Sequence, residues 1–346
     1  GLTSGVVTGR IEAGFEPLVF AEVAGEPDVP LLLRAVSLVR GMGTPQVVGV
    51  VGVGGGSALD TAKITAYCSA TGVAPEELGG PLRATPAFPT LILVPTTVGT
   101  GAEATRVAMF SLNGAKRAVL SPQFVPDVAI LDGDLVADLP AAVVAATALD
   151  ALSHALESMM STTCNHLTWR FSVDAARIIF DQLRPACAGD REARAELQYA
   201  SFLAGVSLNA GVVLGHSMSY VLAGRHHLAH GVGCALALPY CLAYNQNLPA
   251  HIGLQMAEAV LRRSGSTMRE LAEAVQQITA DVGLPTDLGA LDVQPGDAEA
   301  LAVAVARDYP RPTNPIELIE PRLEELFRHL SRGDLSGAWT AMEGQL

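Results

Sequence analysis

Through residues 1–139, short apolar runs alternate with stretches of helical spacing, and beyond that point helical periodicity continues alone. Residues 17–23 and 46–53 read as strands. The second carries no charge, as expected of a parallel strand covered on both faces. Residues 90–94 (TLILV) and 128–131 (VAIL) repeat the strand pattern, and 30–41 and 58–70 carry apolar positions at helical intervals. Strands alternating with helices predict a doubly wound α/β sheet.

After Leu139-Pro140 the texture changes. Ala-, Leu- and Glu-rich patterns predict helices over 141–161, 167–183, 191–209, 251–263, 268–282, 298–307 and 316–330, with Pro140 suited to the first helical position. No stretch there has strand character. The expected organisation is an α/β domain over 1–139 and an all-α domain over 140–346, with no internal repeat or low-complexity tract.

Composition narrows the class. The 346 residues suffice for two domains with separate cores. Hydrophobic residues at 49% against 16% charged describe an interior-rich globular chain and not a disordered one. A net charge of −13 argues against nucleic acid or an anionic membrane as the main partner, while leaving room for a locally positive pocket. Cys68, Cys164, Cys187, Cys234 and Cys241 are scattered, odd in number and free of any CxxC pair. They read as reduced packing thiols. No apolar run reaches the roughly 18–20 residues of a membrane helix, and no basic segment followed by an apolar one opens the sequence. The cytoplasm is the expected compartment.

Two kinds of chemistry are suggested by motifs. Residues 51–60, VGVGGGSALD, run from an expected strand into an expected helix. Gly54, Gly55 and Gly56 allow close backbone approach, Ser57 is a candidate N-cap, and Asp60 three residues on would complete a capping-box-like arrangement. Such a turn favours a phosphate, although it is not the G-x-G-x-x-G fingerprint. A second polar turn, residues 95–101 with Thr96, Thr97 and Thr100, follows strand 90–94. Ligands of open α/β sheets bind at such strand ends, so the two turns together point to a nucleotide.

The second chemistry is metal binding. Asp150 and His154 stand four apart in an Ala- and Leu-rich helical pattern, which puts both on one buried face. A buried carboxylate and imidazole need partners, and a metal serves both. His216 and His230 each border a glycine-containing segment, but His226, His227 and His230 crowd five positions, and spacing alone does not choose among them. One carboxylate with imidazoles suits Fe(II) or Zn(II).

Taken together, GGGSALDTAK (54–63), PTTVGTGAEAT (95–105), PDVAILD (126–132), ATALDALSHALE (146–157), and GHSMSYVLAG with HLAHGVGCALALP (215–239) resemble the iron-containing (group III) alcohol dehydrogenase family. The resemblance extends along the chain to the late DVGLP and TNP segments. It implies a Rossmann-like NAD(P) domain and a helical metal domain in a dehydroquinate synthase-like architecture, with the active site in the cleft between them. It implies Asp150, His154, His216 and His230 as metal ligands and Gly54, Gly55, Gly56, Ser57 and Asp60 as the pyrophosphate turn. Thr96, Thr97 and Thr100 would line the nicotinamide side, and His226 and His227 the pocket. A homodimer or larger homo-oligomer is implied as well.

Two departures stand out. The family normally begins with about forty more residues, including a strand whose terminal acidic residue helps choose NAD over NADP, so the resemblance expects those strands to be missing here. Tyr220 stands where many members have a histidine on the proton path; tyrosine there resembles the branch of hydroxyacid–oxoacid transhydrogenases and of reductases of acid-bearing aldehydes.

The implied activity is hydride transfer between NAD(P)H and an aldehyde, including acid- or phosphonate-bearing ones. The proton would travel through Tyr220, a pocket histidine or water, and Arg106 or Arg225 are candidates to pair with a substrate anion. Alternatives are a hydroxyacid–oxoacid transhydrogenase, a maleylacetate reductase that would often depart from this ligand set, a dehydroquinate synthase-type cyclase whose basic residues are not evident, and a non-catalytic pseudoenzyme scaffold.

Overall fold

The computed structural model describes residues 18–41, 48–291 and 295–343. They form two compact units, one from the described parts of 1–96 and 102–132, the other from those of 97–101 and 133–346.

The first unit contains helix α1 (Val29–Arg40), strand β1 (Gly49–Gly54), helix α2 (Gly56–Thr71) and strands β2 (Gly80–Pro81), β3 (Thr90–Pro95), β4 (Val107–Leu112), β5 (Ala115–Leu120) and β6 (Val128–Ala129). Asp28 caps α1 by accepting from Leu31 N at 2.9 Å. Helix α2 ends where Gly72 turns left-handed at φ 77°. Strands β1, β3 and β6 make a parallel sheet in the order β1–β3–β6, with Val51 opposite Ile92 and Ile92 opposite Val128. The α/β reading holds.

Three expectations for this unit need correction. Residues 18–23 pair with no strand among the described residues, and Leu18 and Val19 are exposed, because β-propensity makes no strand without a neighbouring ladder; Pro17, Gln46 and Val47 lie outside the described residues. The parallel sheet is not covered on both faces among the described residues: Val51 is 45% exposed and Val128 46%. The antiparallel hairpin β4–β5, with β2 parallel to β5, has no counterpart among the expected elements. Its turn, Asn113-Gly114, has φ of 53° and 74°, the doubly positive geometry that matches strand twist.

The second unit is helical, with no strand among its described residues. Its helices are α3 (Ala141–Met160), α4 (His166–Cys187), α5 (Arg191–Leu208), α6 (Leu214–His226), α7 (His230–Tyr244), α8 (Ala250–Leu261), α9 (Met268–Asp281), α10 (Ala298–Asp308), α11 (Glu320–Leu330) and α12 (Leu335–Met342). Helices α6, α7 and α12 were not legible from periodicity. Pro140 caps α3 from outside instead of occupying its first helical position. Helix α3 is buried on every side from Ala148 to Met160 and packs against α4, α5, α6 and α7. Among the described residues no helix is long and apolar enough to cross a membrane.

Segment 97–101 belongs to this unit because its backbone lies on the helices. Gly101 has φ 55°, and a Cβ there would sit 2.5 Å from Gly205 Cα. Gly101→Ala therefore combines backbone strain with overpacking, and is expected to destabilise the unit by about 3 kcal/mol, read as a lower urea midpoint at unchanged m-value.

Candidate functional site

Helix α3 places Asp150, His154 and Glu157 at i, i+4 and i+7, so all three project from one stripe of a buried helix. His216 comes from α6, and His230 from the first position of α7. Gly231 permits the convergence: a Cβ there would collide with the carbonyl of Ala146, so α7 lies directly on α3.

Asp150 Oδ1 stands 3.6 Å from His154 Nε2, 3.5 Å from His216 Nε2 and 3.5 Å from His230 Nε2. These separations are too long for hydrogen bonds, and Asp150 Oδ1 is buried without a hydrogen-bond partner among the described residues. They match the edges of a tetrahedral shell, where bonds of 2.0–2.2 Å put neighbouring donors about 3.3–3.6 Å apart. One ligand atom each from Asp150, His216, His230 and Cys234 lies within 4.8 Å of the others. His154 completes the constellation, its ring stacked on His216 at 4.7 Å. The donor set fits a divalent cation.

The far sides of two of the rings are also held, whereas His154 Nδ1 is buried without a hydrogen-bond partner among the described residues. His216 Nδ1 meets Glu157 Oε1 at 2.7 Å, and Glu157 also accepts from the backbone N–H of Val213 at 2.8 Å. His230 Nδ1 meets Ser219 Oγ at 2.9 Å. These partners fix the tautomers that leave both Nε2 atoms facing Asp150. Sequence reasoning missed both residues, although Glu157 carried a visible signal in the i+7 spacing from Asp150. It also missed Cys234, read as a packing thiol, whose Sγ stands 3.6 Å from His230 Nε2.

Burial alone would raise the Asp150 carboxyl, but the charges of His154, His230 and His216 overcome it and hold the group well below the usual carboxylate range. Burial lowers the His154 imidazole against the pull of Asp150. At His216 burial works the same way, but Cys234 and Glu157 outweigh it and raise the imidazole well above its ordinary value. Burial pushes the Cys234 thiol up to about 11.

Tyr220 stacks on His230 at 5.2 Å and meets His216 edge-on at 6.1 Å, so it stands beside the cluster. His226 and His227 are not among the rings it gathers. His226 Nε2 is buried without a partner among the described residues, whereas His227 is exposed at the left-handed end of α6.

In the α/β unit, Gly54 has φ 148°, and a Cβ there would lie 2.6 Å from Ala58 Cβ. The N-cap of α2 is Gly55, with no side-chain cap hydrogen bond, which corrects the expectation that Ser57 caps the helix and Asp60 closes a capping box. Ser57 lies inside the first turn. The N–H groups of Ala58 and Leu59 are taken by Gly55 O, and no side chain covers those of Gly56 and Ser57. The second turn is tied to the first by Thr96 N donating to Gly54 O at 2.9 Å. Thr97 and Thr100 fall in the segment that groups with the helical unit.

Asp60 is instead buried, with Oδ2 accepting from Met109 N at 3.1 Å. The fully buried Lys63 amino group donates to the carbonyls of Ala102 at 2.5 Å, Thr105 at 3.0 Å and Val107 at 2.8 Å. Nearby Glu103 is 2% exposed, and neither of its carboxyl oxygens has a partner from another described residue. Burial raises Asp60 to about 6 and Glu103 to about 7, and lowers Lys63 to about 8.

A glycine-rich strand–helix turn in an α/β unit and a carboxylate–imidazole cluster in a helical unit are the parts of a metal- and nucleotide-using oxidoreductase. Residues 1–133 match the family described as iron-containing alcohol dehydrogenase, and residues 144–331 match the C-terminal domain of the Fe-containing alcohol dehydrogenase family. The chain is 32% identical to long-chain-alcohol dehydrogenase 1 of Geobacillus thermodenitrificans, with 97% of this chain and 87% of that protein covered. It also superposes on a crystal structure of 1,3-propanediol oxidoreductase, with a TM-score of 0.85, 30% identity, and coverage of 94% of this chain and 87% of that one. Sulfoacetaldehyde reductase from Bifidobacterium kashiwanohense, solved in complex with NAD+, gives a TM-score of 0.85 at 26% identity, covering 95% and 88%. The chain belongs to the iron-containing alcohol dehydrogenase family.

Two outcomes test these local readings. Glu157→Gln turns an amide toward His216 and is expected to weaken divalent-metal affinity about 10- to 100-fold, measured by competition with a chromogenic chelator. Glu103 binds its proton more tightly folded than at its ordinary value of 4.5. The stability this confers is full below about pH 4.5 and is lost as pH rises through about 7. Glu103→Gln, neutral at every pH, should match wild type near pH 4.5 and exceed it by about 2–3 kcal/mol at pH 8 in urea denaturation.

Proposed function

We propose that this chain interconverts an aldehyde and a primary alcohol with NAD(P), Asp150, His154, His216 and His230 together holding one divalent cation, Fe(II) or Zn(II). The observation that carries this reading is Asp150 Oδ1, buried without a partner and nearly equidistant from three imidazole Nε2 atoms. When bound, the cation supplies Lewis acidity toward a carbonyl oxygen, and the nicotinamide supplies the hydride.

The chain's own residues do the rest. Glu157 and Ser219 keep the imidazoles of His216 and His230 aimed inward. Tyr220, stacked on His230, is assigned the proton transfer at its Oη, giving a proton to the alcohol oxygen in reduction and taking it back in oxidation. His226 is kept as a second proton-carrying group on account of its buried, unpartnered Nε2. No step is assigned to the exposed His227.

Gly54, Gly55, Gly56 and Ser57 are assigned the pyrophosphate, received on free N–H groups at the positive end of α2. Asp60, on the same helix, anchors α2 to β4 by accepting from Met109 N. Thr96, Thr97 and Thr100 are assigned the nicotinamide side, and a homodimer or larger homo-oligomer is the expected assembly.

Metal-replete protein is expected to oxidise NADH or NADPH in the presence of short aldehydes and to carry near-stoichiometric Fe or Zn by elemental analysis. Asp150→Ala and His216→Ala should lose both the metal and at least 1,000-fold in turnover, on the order of what removing a group central to catalysis costs. Wild-type protein that binds neither metal nor nucleotide would instead be a non-catalytic scaffold.

A further inference from the structure

Arg311 stands close to the Asp150–histidine cluster without a counter-ion among the described residues. Its Nε donates to Ser217 Oγ at 2.9 Å, and Ser217, next to His216 on α6, donates to Tyr309 O at 2.7 Å. Its guanidinium carbon lies 5.3 Å from the centre of the Tyr220 ring, whose own centre is 5.2 Å from that of His230. Arg184, Arg191, Arg262, Arg263, Arg269 and Arg307 pair with carboxylates, and Arg40, Arg177 and Arg194 donate instead to backbone carbonyls. Arg311 is half-buried, yet no carboxylate of a described residue forms an ion pair with it, and its two terminal amino groups make no hydrogen bond to a described residue.

We propose that Arg311 is the substrate-recognition residue of this enzyme and that the substrate class is short aldehydes bearing a terminal carboxylate, a deepening that rests on the oxidoreductase reading above. A guanidinium fork matches a carboxylate in a two-point contact that lysine does not reproduce. Ser217 and the face of Tyr220 fix the plane of the fork, so little ordering remains on binding. The two ring separations place the guanidinium carbon within about 10.5 Å of the His230 centre. With about 4 Å taken by a bidentate contact, that upper bound limits the aldehyde to about four carbons. Arg106 and Arg225, the arginines expected to meet a substrate anion, are exposed, and Arg225 faces Asp308.

The test pairs succinic semialdehyde with butanal, which have the same carbon number and differ in the terminal carboxylate. Metal-replete full-length protein is assayed with NADH and with NADPH, as wild type, Arg311→Gln and Arg311→Lys. The expected result is a wild-type preference for the acid in kcat/KM that falls about 50-fold or more in R311Q, mostly through KM, with partial recovery in R311K. A residue that only supports the fold would lower both substrates together and leave the ratio unmoved. Calorimetry with 4-hydroxybutanoate reads the same contact without turnover, and its affinity should drop in parallel.

A wild type indifferent to the carboxylate, or a ratio and an affinity unchanged in R311Q, overturns the assignment while butanal turnover keeps the oxidoreductase reading. Arg311-dependent binding of 4-hydroxybutanoate with no turnover of either aldehyde keeps the anion site and overturns the activity.

Discussion

The constraint that organises the helical unit is a single carboxylate placed where water does not reach. Asp150 is 4% exposed on a helix whose buried residues are mostly Ala, Leu and Met, with His154 and Glu157 on the same stripe. An uncompensated charge in such a place costs several kcal/mol. Three imidazoles surround it at nearly equal range, and two of them are steered from behind, His216 by Glu157 and His230 by Ser219. The arrangement is expensive as a set of ion pairs and economical as a cradle for a cation, since a divalent ion satisfies every inward-facing donor at once.

Helices α6 and α7 are shaped by that requirement more than by amphipathicity. Both are buried along most of their length, so their apolar residues show no preferred face, and small residues sit where backbones touch. This is why their periodicity says little, while the amphipathic surface helices α9 and α11 could be read directly. The polar residues inside α6 belong to the same structure: Ser217 orients Arg311, and Ser219 orients His230.

What the sequence made legible follows the same physics. Asp150 and His154 could be read because their spacing fixes a common face whatever the tertiary fold. Glu157 was equally readable at i+7, but a glutamate in a helix draws no notice until His216 is found against it. Ser219, Cys234 and Arg311 depend on contacts between segments distant along the chain, which no local pattern encodes. In the α/β unit, β1 and β3 announced themselves as apolar runs. The hairpin carried its signal in Asn113-Gly114 alone, and Ser57 resembled a cap because composition does not reveal where a helix starts.

The separation of the donors along the chain has a consequence for how the protein matures. Asp150 and His230 are about eighty positions apart, on helices α3 and α7 that pack directly on each other. No two of α3, α6 and α7 alone hold all the imidazoles, so a nascent chain offers no more than a loose bidentate grip at Asp150 and His154. On the proposed reading, ion capture therefore follows the docking of α6 and α7 onto α3, and belongs to a late stage of folding.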